Sequence, residues 1–120
     1  MGDRLPKTSE EIYAQEQIIL HDRQQTEVVT QALRIGDIAI GTSPCETFAE
    51  TGLEYKKRSP FPRSFMIELN HAYFGYMPTA RHFELGGYET WPGTNYLEPA
   101  AADHVLGALL EMTTALHAAR

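Results

Sequence analysis

The run T-E-V-V-T-Q-A-L-R-I (26–35), followed by G-D (36–37) and I-A-I (38–40), sets the architecture of this chain. The first run alternates in polarity and is rich in Val, Thr and Leu, which is typical of a strand. The glycine and aspartate then form a turn, and the third run begins a second strand. This pattern predicts a β-hairpin, which the residues Gly41 to Pro44 bring to an end.

A helix and a third strand are predicted after the hairpin. Residues 47–57 favour a helix with Phe48, Leu53 and Tyr55 as core contacts, and Lys56-Lys57-Arg58 suits the negative end of a helix dipole. Pro60 and Pro62 terminate this helix. The mostly apolar run 64–69 then predicts a buried strand. A strand, helix, strand order implies a crossover, and therefore a parallel pair.

Two further helices are predicted at the ends of the chain. Thr8 and Glu11 fit a capping box, so a helix should run from there to Asp22. Glu98-Pro99 opens the last helix, because proline is favoured in a first turn. Its apolar positions fall at helical spacing and predict packing on the sheet: Val105, Leu106, Leu109, Leu110, Met112, Thr113 and Leu116. Residues 77–97 are expected to be irregular, with one helical turn near 81–85.

These elements predict an α+β fold, in which a small mixed sheet (a hairpin plus a crossover strand) packs against two or three helices. The N-terminal helix, residues 1–25, is separate from a single compact unit, residues 26–120. Of the residues, 42% are hydrophobic, which is enough to build a core.

Charge and composition exclude several classes of function. The net charge is −6 and the only basic run is Lys56-Lys57-Arg58, so no nucleic-acid surface is predicted. No apolar run approaches the roughly 20 residues that span a bilayer, and the N-terminus lacks the apolar core of a signal peptide. Cys45 is the single cysteine, so the compartment cannot be inferred from disulfides.

Glu46 is the first candidate for chemistry, since it follows the hairpin directly. It is either a functional carboxylate or an acid stabilised by the N-terminus of the next helix. Tyr73 and Tyr76 are either site residues or ordinary core and rim aromatics. His71 and His82 could join Glu46 in a self-contained zinc site, although no tight metal-binding pair of histidines occurs. Cys45 is interpreted as a buried small residue, since an adjacent carboxylate opposes activation of a thiol.

The order and spacing of several short motifs resemble the neutral/alkaline, non-lysosomal ceramidase family, in particular its bacterial, uncharacterised branch. The resemblance covers roughly residues 26–118, and its strongest motifs lie between residues 35 and 89. They are Ile35-Gly36-Asp37-Ile38-Ala39-Ile40, Pro44-Cys45-Glu46-Thr47-Phe48, Gly52-Leu53, Asn70-His71-Ala72-Tyr73-Phe74-Gly75-Tyr76-Met77-Pro78-Thr79 and Gly86-Gly87-Tyr88-Glu89.

The resemblance implies a zinc amidohydrolase that cleaves the amide of an N-acylsphingosine. In that family two histidines, a glutamate and a tyrosine hold the metal. The P-x-E motif assigns the glutamate to Glu46, and the Y-x-x-Y-x-x-T motif assigns the tyrosine to Tyr76, with Tyr73 as the second choice. The family's two histidines come from earlier regions of its sequence, so we expect this chain to be a C-terminal segment of the catalytic domain.

Three departures from the family bear on the substrate. Cys45 stands where the P-x-E motif often has glycine, the 30 residues from Glu46 to Tyr76 are fewer than in the well-studied ceramidases, and Gly52 to Lys57 replace an Arg-rich stretch. These differences bear on ceramide as substrate more than on the metal site.

The expected function is therefore a partial one. The chain contributes Glu46 and Tyr76 to a zinc site that is completed elsewhere, and it is inactive alone. The alternative is a stand-alone, non-enzymatic binding or assembly module. The expected partner is a second copy of the chain or the missing N-terminal region of the parent, because a piece of a larger domain exposes apolar surface or a free strand edge.

Overall fold

The predicted hairpin is confirmed, with a shorter first strand. In the computed structural model, which describes residues 4–119, β1 (Ala32–Ile35) pairs antiparallel with β2 (Ile38–Thr42). Residues 26–31 are not strand. At the end of the ladder the Thr42 amide still donates to the Gln31 carbonyl at 2.9 Å, but the Gln31 amide donates to the Thr42 hydroxyl, at 3.0 Å, and not to a backbone carbonyl. The predicted ends of the two units, residues 1–3 and 120, lie outside the described residues.

The crossover is also confirmed. The chain passes from β2 through β3 (Glu46–Thr47) and α2 (Ala49–Arg58) to β4 (Arg63–Ile67), which pairs parallel with β2. The strand predicted at 64–69 forms as Arg63–Ile67, but its predicted burial is wrong. β4 lies at the edge of the sheet, in the order β1-β2-β4, and its Phe65 side chain is 40% exposed.

Helix α2 packs on the sheet through one face. Thr51 and Tyr55, four residues apart, are buried, because residues at that spacing share a helix face. Leu53 lies between them in sequence and therefore points away. Its predicted role in the core is wrong, since it is 61% exposed.

The region 77–97 is more regular than expected. β5 (Tyr76–Met77) pairs parallel with β3 to form a second, two-stranded sheet. It is followed by α3 (Ala80–Leu85), which is the predicted helical turn, and by a short 3-10 helix, Tyr88–Thr90.

The core lies between the three-stranded sheet and the last helix, α4 (Ala101–Ala118). Helix α4 begins two residues after Pro99, and its predicted apolar face is buried or half-buried as expected. The sheet approaches closely at Gly41, where an added Cβ would lie 3.1 Å from the Tyr55 ring and 3.3 Å from the Leu109 side chain. The buried cluster comprises Cys45, Tyr55, Met77, Ala102, Val105, Leu106, Leu109 and Leu110.

Helix α1 (Ser9–Asp22) forms as predicted, with the Thr8 hydroxyl accepting a hydrogen bond from the Glu11 amide at 3.3 Å. None of its side chains from Ser9 to Asp22 is buried. It contacts the rest of the chain through Tyr13, whose ring packs edge-on against Trp91 at 5.4 Å. The chain is thus an α+β fold with a small mixed sheet. Within residues 4–119, no helix has the length and apolar character needed to cross a bilayer.

Candidate functional site

Glu46 and Tyr76 lie directly opposite each other in the small parallel sheet. The Glu46 amide donates to the Gly75 carbonyl at 3.0 Å, and the Phe48 amide donates to the Met77 carbonyl at 3.4 Å. These backbone bonds join the loop after β2 to the loop after β4. Loops that follow the neighbouring strands β2 and β4 therefore carry the two predicted site residues.

The backbone of Tyr76 is fixed on its other side by residues 94 and 95. Its amide donates to the Thr94 carbonyl at 2.9 Å, and its carbonyl accepts from the Asn95 side-chain amide at 3.1 Å. Gly75, with φ of +73°, makes this approach possible. An added Cβ at Gly75 would lie 2.4 Å from the Thr94 carbonyl oxygen, so only glycine fits there.

Four side chains form what we call the carboxylate–phenol cluster: Glu46, Tyr73, Tyr76 and Tyr88. The hydroxyls of Tyr76 and Tyr88 are 3.0 Å apart, and the two rings pack edge to face with centroids at 5.5 Å. The hydrogen bond with Tyr88 and the neighbouring Glu46 carboxylate raise the pKa of Tyr76. The Glu46 carboxylate also raises the pKa of Tyr73, which is 60% exposed.

The raised pKa values describe the chemistry of the cluster near neutral pH. Tyr73 and Tyr76 keep their protons there, because the ordinary pKa of tyrosine is about 10 and the pKa of each of these two is higher still. Phenol protons facing a carboxylate are donors facing an acceptor. A metal ion bound by Glu46 and Tyr76 would have to displace a phenol proton, which makes metal binding compete with protons.

The predicted histidines lie in other environments. The His71 Nε2 atom is 2.7 Å from the Gln31 side-chain oxygen, which ties the loop after β4 to the segment before β1. His82 has its Nδ1 atom 2.7 Å from the Thr79 hydroxyl, and its ring packs edge-on against Phe48 at 4.5 Å. Across residues 4–119, no group of three His, Cys, Asp or Glu side chains is arranged to hold a metal ion. The self-contained site of Glu46, His71 and His82 is therefore not formed.

Cys45 is fully buried, in agreement with its interpretation as a small core residue. Burial raises the pKa of its thiol to about 11, so the reactive thiolate is scarce near neutral pH. The residue belongs to the core and not to the chemistry of the neighbouring carboxylate.

Sequence reasoning missed Tyr88 and Asn95. Tyr88 lies in the Gly86-Gly87-Tyr88-Glu89 motif, which carried some of the resemblance, but the motif gave no role to this residue. Asn95 is 4% exposed and has no motif around it; its role is visible only through its hydrogen bond to the Tyr76 carbonyl.

An open cleft of about 960 Å³ lies beside the cluster. Tyr73, Phe74 and Tyr96 line one side, and the C-terminal half of α1 with residues 23–26 lines the other. The cleft gives the exposed Tyr73 side chain a concave surrounding of the kind that binds small molecules, with Phe74 and Tyr96 beside it and polar and aliphatic side chains opposite.

Comparison of the chain with models of protein families, with curated proteins and with solved structures finds no match in any of the three.

Proposed function

We propose that this chain is the C-terminal segment of a neutral-ceramidase-like zinc amidohydrolase and that it contributes some of the ligands of the metal site. The observation that supports the proposal best is the pairing of Glu46 with Tyr76 across the β3–β5 sheet. These are the two residues that the resemblance assigns to the metal. They are 30 residues apart in sequence, and the carboxylate of one acts on the phenol of the other.

The donor set fits half of a zinc shell. Glu46 would supply a carboxylate oxygen and Tyr76 a phenolate oxygen, and catalytic zinc sites combine such oxygens with imidazole nitrogens. When bound, zinc would polarise an amide carbonyl and lower the pKa of a bound water. This chain's own role is to hold the two oxygens in place, through the backbone bonds of Glu46 to Gly75 and of Tyr76 to Thr94.

The Glu46 carboxylate and the Tyr76 phenol together would bind zinc weakly, because they are only two ligands and because zinc has to displace the phenol proton. The remaining imidazole ligands would come from the missing N-terminal region of the parent. That region is therefore an expected partner, and a second copy of the chain is another. The chain alone is then inactive, and ceramide remains one candidate among N-acyl amides.

Zinc titration in the presence of excess imidazole tests this proposal, because imidazole can stand in for the absent histidines. We expect zinc to displace the Tyr76 proton, which gives a tyrosinate absorption change in the near ultraviolet. The change should disappear in Tyr76→Phe and in Glu46→Gln. Tyr96→Phe is the matched control, since Tyr96 is 42% exposed and lies outside the cluster. An unchanged spectrum of the natural chain at saturating zinc would count against the metal site.

The second candidate is a non-enzymatic binding or assembly module. The observation that favours it is the cleft of about 960 Å³ that Tyr73, Phe74 and Tyr96 line on one side. Such a module needs no metal, and its binding would depend on Tyr73 and Tyr96 while tolerating Tyr76→Phe.

Sequencing the genomic DNA around the coding region separates the two candidates independently. A reading frame that extends upstream and carries two histidines at metal-binding spacing supports the enzyme. A start codon at Met1 with its own ribosome-binding site supports the module.

A further inference from the structure

One face of the three-stranded sheet carries no covering layer within residues 4–119. Helices α2 and α4 cover the face that includes Ala39 and Gly41. Because side chains alternate along a strand, the next residues point to the opposite side, which we call the outer face. Most of it is apolar, with Arg63 at one corner and the buried Thr42, which is bonded to Gln31, at the end next to Ile67; its apolar members are Leu33, Ile35, Ile38, Ile40, Phe65 and Ile67.

The outer face has an in-register row that ends at the sheet edge. Leu33 pairs with Ile40 and Ile40 pairs with Phe65, so the three side chains lie side by side. Leu33 is 48% exposed and Phe65 is 40% exposed. The row stops at β4, which has β2 as its only strand neighbour in the described residues.

The free edge of β4 presents unpaired backbone groups. The Ile67 carbonyl points toward the β2 side, where it accepts from the Ser43 amide at 3.0 Å. Since backbone groups alternate between the two edges of a strand, the N–H and C=O groups of Ser64 and Met66 point to the free edge. Natural edge strands are usually protected by lysine, proline or a bulge. In β4 such protection is confined to the start of the strand, where Arg63 follows Pro62, and the run from Ser64 to Ile67 has no lysine, proline or bulge.

A groove of about 360 Å³ runs along this edge, between β4 and α2. It is lined by Leu53 and Lys56 of α2 and by Phe65 and Met66 of β4. The exposed Leu53, which the sequence placed in the core, thus lies next to the free edge and extends its apolar surface.

We propose that β4 pairs antiparallel with β4 of a second copy of the chain, around a two-fold axis at Phe65, and that the two sheets become one six-stranded sheet. Unpaired N–H and C=O groups in a row select another strand as occupant. A strand that pairs antiparallel with its own copy satisfies two-fold symmetry, so the same edge serves both partners.

The Phe65-centred register fits the side chains. Ser64 of each copy exchanges backbone hydrogen bonds with Met66 of the other, and the row of Leu33, Ile40 and Phe65 continues unbroken into its symmetry mate. Arg63 comes to lie opposite Ile67, so no like charges face each other. The bond from the Thr47 amide to the Glu68 carboxylate, at 2.8 Å, lies beyond the paired residues and is preserved.

The free edge of β4 is a better site for this pairing than the free edge of β1. In β1 the Arg34 side chain reaches from the strand to the Leu116 and Ala119 carbonyls at the end of α4, at 3.0 and 2.8 Å. A single strand edge buries less than the roughly 800 Å² per partner of a standard interface. We therefore expect a weak dimer, whose fraction of the total protein rises with concentration.

Sedimentation across a concentration series, with Ser64→Pro and Ser64→Ala, tests the pairing. Proline removes the Ser64 N–H, which points to the free edge and is not used in the monomer, and edge strands tolerate proline at such positions. Alanine keeps that N–H, and both variants lose the same 2.6 Å contact of the Ser64 hydroxyl with Ser59. We expect Ser64→Ala to dimerise like the natural chain and Ser64→Pro to stay monomeric.

A disulfide test fixes the register and does not rely on proline. Facing residues of a non-hydrogen-bonded antiparallel pair have Cα atoms about 4.5 Å apart, which lies within the range for a disulfide. Phe65→Cys should cross-link under mild oxidation, whereas Ile35→Cys, at a position that is 64% exposed on the outer face, should not. The buried Cys45 should not form a cross-link in either variant. A monomeric natural chain, or a dimer that persists in Ser64→Pro without a Phe65→Cys cross-link, overturns the proposal.

Discussion

Glu46 and Tyr76 are register partners in the β3–β5 sheet, and the Tyr88 hydroxyl together with the Glu46 carboxylate keeps the phenol of Tyr76 protonated. Their backbones are held by Gly75 on one side and by Thr94 and Asn95 on the other. A carboxylate and a phenol fixed in this way form a pre-organised pair of oxygens, and its properties can be tested with single substitutions.

We predict that the purified 120-residue chain does not hydrolyse ceramide or simple N-acyl amides at any zinc concentration. The physical reason is that Glu46 and Tyr76, the proposed ligands, would provide only two of the ligands that a catalytic zinc requires. Product release followed by mass spectrometry measures this directly. Zinc-dependent turnover that is lost in Glu46→Ala would show that the chain is a complete enzyme.

The second prediction concerns the titration of the phenols. Glu46→Gln removes the negative charge beside Tyr73 and Tyr76, so the pKa of each should fall toward the ordinary 10.0. Tyr88→Phe should lower the pKa of Tyr76 and leave that of Tyr73 unchanged. NMR of tyrosine labelled at Cζ, the ring carbon that bears the hydroxyl, reports the pKa of each tyrosine separately. Glu89→Gln is the control, and a shift of equal size in that variant would contradict the assignment.

The same pKa shift predicts how stability depends on pH. The folded chain binds the Tyr76 proton more tightly than the unfolded chain, whose tyrosines have the ordinary pKa of 10.0. Stability from this group is therefore complete below about pH 10 and is lost as the pH rises through the folded pKa. Denaturant unfolding at a series of alkaline pH values should show a smaller loss for Tyr76→Phe than for the natural chain.

Gly75→Ala should destabilise the fold and disturb the cluster. The positive φ costs an alanine about 1–2 kcal/mol, and the added Cβ meets the Thr94 carbonyl oxygen at 2.4 Å. Gly107→Ala is the matched control, since that glycine lies in α4 with nothing within 4 Å of an added Cβ. It should stabilise the chain by up to about 1 kcal/mol. Thermal unfolding measures both, and equal effects would contradict the close approach at Gly75.

The buried pair Tyr55 and Thr113 should behave as a coupled unit. Their hydroxyls are 2.8 Å apart, and both residues have no exposed surface. Tyr55→Phe leaves the Thr113 hydroxyl without this partner, which costs about 1–3 kcal/mol. Adding Thr113→Val removes the orphaned group, so the double variant should lose less than the sum of the single losses. Strict additivity in denaturant unfolding would show that the two hydroxyls do not interact.

Local patterns in the sequence predicted most of the fold. The alternation before Gly36, the cap at Thr8 and the helical spacing from Val105 to Leu116 each predicted an element that the structure contains. The parallel pairing of β4 followed from the crossover rule. These signals are local because capping, turns and amphipathic spacing depend on residues within a few turns of each other.

Other predictions failed because burial is not a local property. Phe65 and Leu53 are apolar and fall in regular elements, yet both are exposed, since the β4 edge and the far side of α2 have no neighbour in the described residues. The composition of a segment indicates that it can be buried. What covers it depends on the arrangement of all the other elements.

Sequence patterns alone identified the candidates of the site, Glu46 and Tyr76, together with the elements on either side of them. Tertiary contacts were needed to establish that the two lie opposite each other, that Tyr88 joins them and that His71 turns to Gln31 instead. The physical reason is that these contacts join residues 12 to 40 positions apart, and their geometry is set by backbone bonds around Gly75 and Asn95 that leave no periodic pattern in the chain.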